Sequence, residues 1–264
     1  MTFKHIISRD NSVFKQLKKL SESSRERRQA GKTLLDGVHL IETYIKNFGL
    51  PELLIIPEGQ SSGEATGLIQ ALVDGEEAPA VMFPTLMFAE LTPVASPTGI
   101  LALIKIPKIE PPEAPNFVLM LEDIQDPGNL GAMLRSAAAA GVDVVYLSTG
   151  SADAWSPKAL RGGQSAQFVL PIIERADLLE LASSFNGLTL ATTMDGESLF
   201  DQDLTGAVAF MLGNEGAGLS HDLMRTAQKK VAIPMNNKGL GKIESLNATA
   251  AATVCLFERV RQMI

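Results

Sequence analysis

The residues with the clearest chemical potential lie in three short segments in the second half of the chain. They are Asn129-Leu-Gly-Ala-Met-Leu-Arg135, Leu212-Gly-Asn-Glu-Gly-Ala-Gly-Leu-Ser220, and Ile233-Pro-Met235 followed by Ser245-Leu-Asn-Ala248. Each segment places polar side chains among small and apolar residues, where a strand-like run meets a loop or a helix start. Folds of the α/β class build their sites at such junctions. The three segments therefore predict one composite site.

Arg135 is the charged residue of the first segment. The preceding Asp126-Pro-Gly128 is typical of a turn, and Asn129 can cap the helix that follows. Arg135 lies six residues further on, in a run of Ala, Met, Leu and Gly. A guanidinium in such surroundings calls for an anionic partner. That partner is either a phosphate or the carboxylate of an Arg–Glu pair that joins two elements, and the sequence leaves both open.

The second segment contains three glycines after an apolar run. Their order is G-x-x-G-x-G, whereas dinucleotide-binding folds use G-x-G-x-x-G. Glu215 inside the turn would also repel a pyrophosphate. We expect the glycines to let backbone groups approach a neutral or cationic ligand closely. In the third segment, a helix is predicted to begin near Glu244 with Ser245 as its N-cap, while Asn247 in the first turn offers a donor and an acceptor.

The elements that must position these segments follow the pattern of an α/β protein in two domains. Four prolines between Pro107 and Pro115 predict a stiff linker, which separates residues 1–106 from residues 116–264. Strands are predicted at 32–36, 53–56, 100–106, 117–121, 144–147, 188–190, 207–212 and 231–233. Helices are predicted near 11–20, 37–48, 129–140, 156–166, 177–185, 220–228 and 244–262, with a weak helix within 57–80. The alternation after the linker indicates a mostly parallel sheet covered on both faces, preceded by a small α/β domain.

Basic side chains are concentrated at the start of the chain. Residues 1–32 hold nine Lys or Arg against three Asp or Glu, a net of +6 in a chain of net charge −7, so the remainder carries −13. A basic segment on an acidic body is expected of an arm that binds a polyanion. A solvated helix face is the alternative, because Val13, Leu17 and Leu20 form an apolar stripe at helical spacing. The candidate polyanion-binding residues, assigned to RNA by the resemblance given below, are Lys15, Lys18, Lys19, Arg25, Arg27 and Arg28.

Composition argues against several other classes of protein. No apolar run approaches the roughly 18–20 residues of a membrane span, and the first residues lack the apolar core of a secretory signal. The single cysteine, Cys255, excludes an intrachain disulfide and fits a reducing cytoplasm. His5, His39 and His221 have no partner at metal-ligand spacing. We therefore expect a cytoplasmic protein with no metal and no membrane association.

Taken together and in this order, the three segments resemble the motifs of the SpoU/TrmH family of the SPOUT superfamily. These enzymes are S-adenosylmethionine-dependent RNA ribose 2′-O-methyltransferases. The resemblance covers about residues 117–262 through N-x-G-x-x-x-R, L-G-N-E-G-x-G-L-S and I-P-M…S-L-N-A-x-A-A. Residues 8–106 more loosely resemble the family's N-terminal substrate-binding domain, a fold similar to ribosomal protein L30e. Its landmarks correspond to Leu35-Asp-Gly-Val38 and Thr98-Gly-Ile-Leu-Ala102.

The resemblance implies a C-terminal trefoil knot, a homodimer and a bound methyl donor. The implied catalytic residues are Asn129, Arg135, Glu215, Ser245 and Asn247. The implied S-adenosylmethionine-binding residues are Leu212, Gly213, Asn214, Gly216, Ile233, Met235 and Leu246. One departure is the spacing between Met235 and Ser245, which is longer than the family commonly has. Lys238 and Lys242 in that stretch either meet RNA phosphate or are solvated.

The implied reaction is methylation of a ribose 2′-hydroxyl, which must lose its proton. The family proposal makes Arg135 the base, although arginine is not normally deprotonated in proteins, which favours stabilisation of the alkoxide instead. Glu215 is the other candidate base. The additional N-terminal domain favours ribosomal RNA as substrate. Alternatives are a transfer RNA 2′-O-methyltransferase, a non-catalytic RNA-binding protein and, least favoured, a nicotinamide-dependent enzyme.

Overall fold

Residues 4–59, 61–74, 78–92, 97–235 and 245–264 are described by the computed structural model, and the chain divides into two units. The first unit comprises Met1–Lys108 together with Trp155–Phe168, and the second comprises Ile109–Ala154 together with Val169–Ile264. The chain therefore passes from one unit to the other three times. Within the ranges given, no helix is both long and apolar enough to span a membrane.

The first unit is built on a five-stranded mixed sheet, and its spatial strand order is β1-β4-β3-β5-β2. Strands β1, β4 and β3 are parallel to one another, while β5 is antiparallel to both β3 and β2. In chain order the elements before the linker are β1 (Lys4–His5), α1 (Ser12–Glu22), α2 (Ser24–Ala30), β2 (Lys32–Asp36), α3 (Val38–Phe48), β3 (Leu53–Pro57), α4 (Gly63–Asp74), β4 (Ala80–Phe83), α5 (Thr85–Ala89) and β5 (Leu101–Lys105).

Helix α1 covers one part of this sheet with an apolar stripe. Phe14, Leu17 and Leu20, spaced three residues apart, are buried on one face and pack into the core cluster that contains strand residues Leu34 and Phe83. The rings of Phe14 and Phe83 meet edge to face with centroids 5.5 Å apart. The charged residues of α1 consequently lie on the opposite side of the helix from the core.

The second unit contains a six-stranded sheet whose described pairings are all parallel, in the order β11-β9-β10-β6-β7-β8. This confirms the predicted parallel α/β architecture. In chain order the elements after the linker are β6 (Phe117–Leu121), α6 (Pro127–Ala140), β7 (Val144–Leu147), α7 (Pro157–Gly163), β8 (Ile172–Ile173), α8 (Leu178–Ser184), β9 (Leu188–Ser198), β10 (Val208–Leu212), α9 (His221–Thr226), β11 (Lys229–Ala232) and α10 (Ala248–Met263). Helix α7 lies in the stretch that belongs to the first unit.

The central strands β6 and β10 are buried along their whole length, which is typical of a parallel sheet covered on both faces. Their C-terminal ends lead into the two loops that carry the first two predicted segments. Helices α6 and α10 pack together, and the hydroxyls of Ser136 and Thr253 lie 2.8 Å apart between them. Sheet order and helix packing thus bring the third segment to the same region.

The segment Trp155–Phe168 packs on the strand β2 and the helix α3 of the first unit. Thr33 Oγ1 donates a hydrogen bond of 2.6 Å to the carbonyl of Trp155. The Phe168 ring contacts Tyr44 and Phe48, with centroids 5.8 Å away in each case. These contacts make α7 part of the core of the first unit, although its sequence lies between two strands of the second.

Candidate active site

Asn129 in α6 contacts the second predicted segment and the start of α10, which directly follows the third. Its Nδ2 donates a hydrogen bond of 3.1 Å to Glu215 Oε1 in the loop after β10. The hydroxyl of Thr249, in the first turn of α10, lies 3.4 Å from both the backbone O and the Oδ1 of Asn129. These contacts join residues 86 and 120 positions apart in the chain. Thr249 was absent from the predicted site, and only the fold brings it there.

Helix α6 begins at Pro127, which makes the predicted cap at Asn129 wrong. Asp126 is the N-cap, and its Oδ1 accepts the backbone N–H of Asn129 at 2.9 Å. Proline suits the first helical position, because its ring fixes φ and the helix needs no donor there. Asn129 consequently lies in the first turn of the helix, where its side chain is available to Glu215.

Helix α10 begins at Ala248, so the predicted cap at Ser245 is also wrong. Asn247 caps the helix, and its Oδ1 accepts the N–H groups of Thr249 at 2.9 Å and Ala250 at 3.4 Å. This leaves the Nδ2 of Asn247 as a donor at an exposed helix start. Ser245 is exposed and forms no hydrogen bond with the parts of the chain that the structure describes.

Asn214 organises the loop after β10. Its Oδ1 accepts the N–H groups of Gly216 at 2.8 Å and Ala217 at 2.9 Å, and its backbone O accepts the N–H of Gly218 at 2.9 Å. Its Nδ2 donates to the carbonyl of Asp123, at the end of β6, at 2.9 Å. One side chain therefore closes the turn and ties it to the neighbouring strand.

Gly213 is required by the packing of this loop on itself. A Cβ at Gly213 would lie 2.2 Å from Gly218 C and 2.2 Å from Leu219 N. The close approach expected at Gly213 is therefore made to the loop's own backbone. Gly216 differs, because it is exposed and a Cβ there would meet only Asn214 Oδ1, at 3.5 Å.

The carboxylate of Glu215 is held in its charged form. Partial burial raises its pKa, but hydrogen bonds from the Asn129 amide and from backbone N–H groups at Gln125 and Asp126 outweigh that effect and hold the pKa below its usual value. A carboxylate with a lowered pKa is a weaker base. Glu215 is accordingly suited to orienting Asn129 and fixing the loop.

The apolar residues predicted to hold the cofactor end β10, follow β11 or precede α10. Leu212 is buried at the end of β10, Ile233 and Met235 are half-buried after β11, and Leu246 is 37% exposed before α10. Partly exposed apolar side chains, together with exposed backbone such as that at Gly216, are what an adenosyl group and a sulfonium need, namely apolar contact and backbone acceptors. Lys238 and Lys242 lie outside the described residues. Across the described ranges, no cluster of three His, Cys, Asp or Glu could hold a metal.

Arg135 lies on α6, two turns after Asn129, and its side chain is exposed. Its guanidinium forms no hydrogen bond or ion pair with any residue in the described ranges, so the Arg–Glu pair considered from the sequence is not found there. As far as those ranges go, the guanidinium is available to bind an anionic group of a substrate.

The basic residues of the first unit differ in their surroundings. Lys19, Arg25 and Arg28 are exposed. Lys15 pairs with Asp10 at 2.8 Å, and Lys18 pairs with Glu90 at 2.7 Å. These two lysines and Lys19 line a cavity of about 450 Å³ together with Arg9, Asp10, Phe14, Glu22 and Glu90.

Arg27 is placed differently from the other predicted RNA-binding residues. It is 4% exposed, and its guanidinium donates to the carbonyls of Leu20 at 2.6 Å and Ser21 at 3.1 Å. The side chain thus closes the C-terminal end of α1, where carbonyls lack helical partners. We therefore leave Arg27 out of the RNA-binding set.

Comparison with known proteins identifies the family of the chain. Residues 116–257 match the SpoU rRNA Methylase family, and residues 11–102 match the MRM3-like substrate binding domain. The chain is 31% identical over 258 residues to a 23S rRNA (guanosine(2553)-2′-O)-methyltransferase of Bacillus subtilis, covering 96% of this chain and 98% of that protein. It is 30% identical over 273 residues to a 23S rRNA (uridine(2479)-2′-O)-methyltransferase of Streptomyces viridochromogenes, and this match covers 98% of this chain and 92% of that protein.

Solved structures give the same result. The fold matches the SpoU methyltransferase AviRb from Streptomyces viridochromogenes in complex with AdoMet, with a TM-score of 0.81 and 26% identity over 96% of this chain and 98% of that one. It matches an RNA 2′-O ribose methyltransferase with a TM-score of 0.80 and 28% identity over 98% of each chain. A family match over more than half of the residues, together with relatives similar over almost their whole length, shows that the chain belongs to the SpoU rRNA methylase family.

Proposed function

We propose that this protein transfers the methyl group of S-adenosylmethionine to a ribose 2′-hydroxyl of ribosomal RNA. The observation that carries the proposal is the contact of Asn129 with Glu215 and with Thr249, which directly follows the third segment. Arg135 lies on the same helix, and its exposed guanidinium forms no ion pair within the described residues. Relatives of nearly the same length are named as 23S rRNA 2′-O-methyltransferases, which supports ribosomal rather than transfer RNA.

The methyl donor supplies an electrophilic carbon on a sulfonium, and this chain's residues hold it in place. Leu212, Ile233, Met235 and Leu246 contribute apolar contact. Gly213 and Asn214 fix the shape of the turn, so that the exposed backbone near Gly216 faces the donor in one conformation. A turn already fixed by its own hydrogen bonds loses little conformational entropy on binding.

Arg135 acts on the nucleophile. A neutral 2′-hydroxyl attacks a sulfonium methyl poorly, and negative charge develops on the oxygen as its proton passes to solvent water at this exposed site. The guanidinium of an arginine is not normally deprotonated in proteins, so it acts as a cation that stabilises this charge or the adjacent phosphate. Asn129, oriented by Glu215, and Ser245 with Asn247 position the ribose. In this division of roles Glu215 is a positioning residue whose low pKa suits it poorly to removing the proton.

The active form is a homodimer that uses α10 at its interface. Apolar side chains of this helix are exposed in the single chain: Phe257 is 42% exposed and Met263 55%. The trefoil knot and the cytoplasmic location stay predictions from the family resemblance and from composition. Residues 236–244, between Met235 and Ser245, lie outside the described ranges.

Substitution of Arg135 tests the proposal. We expect Arg135→Ala to lower methyl transfer to ribosomal RNA by at least about a hundredfold, while affinity for S-adenosylmethionine changes less than about tenfold. Arg135→Lys keeps the positive charge but lacks the planar array of N–H donors of a guanidinium. Its methyl-transfer rate therefore measures how much catalysis depends on that donor geometry. The assays are calorimetry with S-adenosylmethionine and tritiated-methyl transfer to ribosomal RNA lacking the modification.

Arg225→Ala is the matched control. Arg225 is an exposed arginine on α9 whose guanidinium pairs with Asp222, and it lies in none of the three segments. Its replacement should leave both measurements unchanged. Wild-type turnover in Arg135→Ala would refute the assignment of the site. Methylation confined to transfer RNA would refute the proposal that ribosomal RNA is the substrate.

A further inference from the structure

Asp123 has an unusual backbone conformation at the end of β6. Its φ is +54°, in the left-handed region that side chains other than glycine, asparagine and aspartate rarely adopt. None of the three sequence segments includes it. Residues held in such conformations tend to occur where the surrounding structure imposes them, often at functional sites. The contacts of Asp123 show what imposes this one.

Two residues at the end of β7 hold Asp123 in place. The hydroxyl of Ser148 accepts the backbone N–H of Asp123 at 2.8 Å and donates to its Oδ1 at 2.6 Å. Gly150 provides the space for the carboxylate, because a Cβ at Gly150 would lie 2.2 Å from Asp123 Oδ1 and 2.6 Å from its Cγ. The side chain and backbone of Asp123 are therefore both fixed from the neighbouring strand.

The backbone carbonyl of Asp123 faces the loop after β10. It accepts the Nδ2 of Asn214 at 2.9 Å, which leaves the Oδ1 of Asn214 to hold the N–H groups of Gly216 and Ala217. A return of Asp123 to negative φ would redirect the chain that carries this carbonyl. Asn214 would then lose the bond that sets the orientation of its amide.

We infer that Asp123 is a positioning residue for methyl transfer, which acts through Asn214 to set the shape of the loop 213–218. This inference rests on the proposed function, because that loop is the part of the site assigned to S-adenosylmethionine. Asp123 itself need not touch donor or substrate. Its effect should therefore appear in the affinity for the donor and not in the turnover at saturating donor.

Substitutions at Asp123 separate backbone conformation from side-chain chemistry. Asp123→Asn should keep the dissociation constant for S-adenosylmethionine within about threefold of wild type, because asparagine also adopts the left-handed region and its amide oxygen can accept from Ser148. Asp123→Val should raise that constant roughly tenfold, since a β-branched residue resists positive φ. Turnover at saturating donor should change little in both variants.

A double-mutant cycle tests whether the effect passes through Asn214. Asp123→Val and Asn214→Ala should be non-additive: the double variant should bind S-adenosylmethionine about as weakly as Asn214→Ala alone. If Asp123→Val does not fold, Gly150→Ala serves instead. It should weaken donor binding in the wild-type background, and much less in Asp123→Gly, where no carboxylate occupies the space.

Calorimetry on the full-length protein reads out donor binding without any RNA. Equal affinity in wild type and Asp123→Val, or additive effects with Asn214→Ala, would overturn the inference while wild-type binding still supports the proposed function. If Asp123→Val does not fold, equal effects of Gly150→Ala in both backgrounds would overturn it. Absence of S-adenosylmethionine binding by the wild type would instead overturn the proposed function.

Discussion

Gly213→Ala should distort the loop after β10 with a single added methyl group. The new Cβ would lie 2.2 Å from both Gly218 C and Leu219 N, and the backbone on the other side of the turn would have to move by more than about 1 Å to reach ordinary contact. That movement breaks the hydrogen bond from Gly218 N–H to Asn214 O and displaces the Asn214 amide from Asp123 O. At about 1 kcal/mol for each hydrogen bond, the cost is about 2 kcal/mol.

If this cost falls on the conformation that binds the donor, the dissociation constant for S-adenosylmethionine rises about thirtyfold. Calorimetry measures it, and thermal unfolding shows whether the protein remains folded. Gly206→Ala is the matched control, because Gly206 is an exposed glycine in the loop before β10, outside the three segments, and an added Cβ there finds no described atom within 4 Å. Wild-type donor affinity and unfolding temperature in Gly213→Ala would refute the reasoning, as would an equal loss in Gly206→Ala.

Two further predictions concern Glu90 and Cys255. Glu90 binds Lys18 and Arg9 at 2.7 Å each, which lowers the pKa of Glu90 and raises that of Lys18. Glu90→Gln should therefore free both cations, strengthen RNA binding and steepen its salt dependence by up to about two units of slope, nearly one for each cation that reaches a phosphate. Filter binding across a salt series measures this, and an unchanged slope contradicts it. Burial raises the pKa of the Cys255 thiol to about 12. A thiol reagent at pH 8 should therefore react with Cys255 only after the protein unfolds. Rapid modification of the native protein would contradict this burial. The same shift predicts that stability falls as the pH rises above the unfolded thiol value near 9.

The strands of the second sheet are the part of the fold that the sequence predicts best. Phe117–Leu121 and Val144–Leu147 have the predicted bounds, because continuous apolar runs bounded by polar residues are typical of buried parallel strands. The edge strands β1 and β8 contain two residues each and carry no periodic signal. Their pairing depends on neighbours that are distant in sequence.

The first residues of α6 and α10 could not be predicted correctly from the sequence. Asp126 and Asn129 can both cap a helix, and so can Ser245 and Asn247, each pair lying within three residues. The residue that becomes the N-cap depends on where tertiary packing begins the helix. The sequence-based prediction named Asn129 and Ser245, whereas the caps are Asp126 and Asn247. The contact between Asn129 and Glu215 follows from the predicted convergence of the segments, whereas the left-handed backbone of Asp123 depends on space at Gly150 that no local pattern reveals.

Because Trp155–Phe168 belongs to the first unit, the two units overlap in their order of synthesis. During synthesis the first unit is complete only after residue 168 has emerged, by which time β6, α6 and β7 of the second are already outside the ribosome. The first unit therefore cannot complete its folding until residues 155–168 are available, when part of the second unit has already been synthesised. Any attempt to exchange one unit between relatives would have to transplant two separate stretches of coding sequence at once.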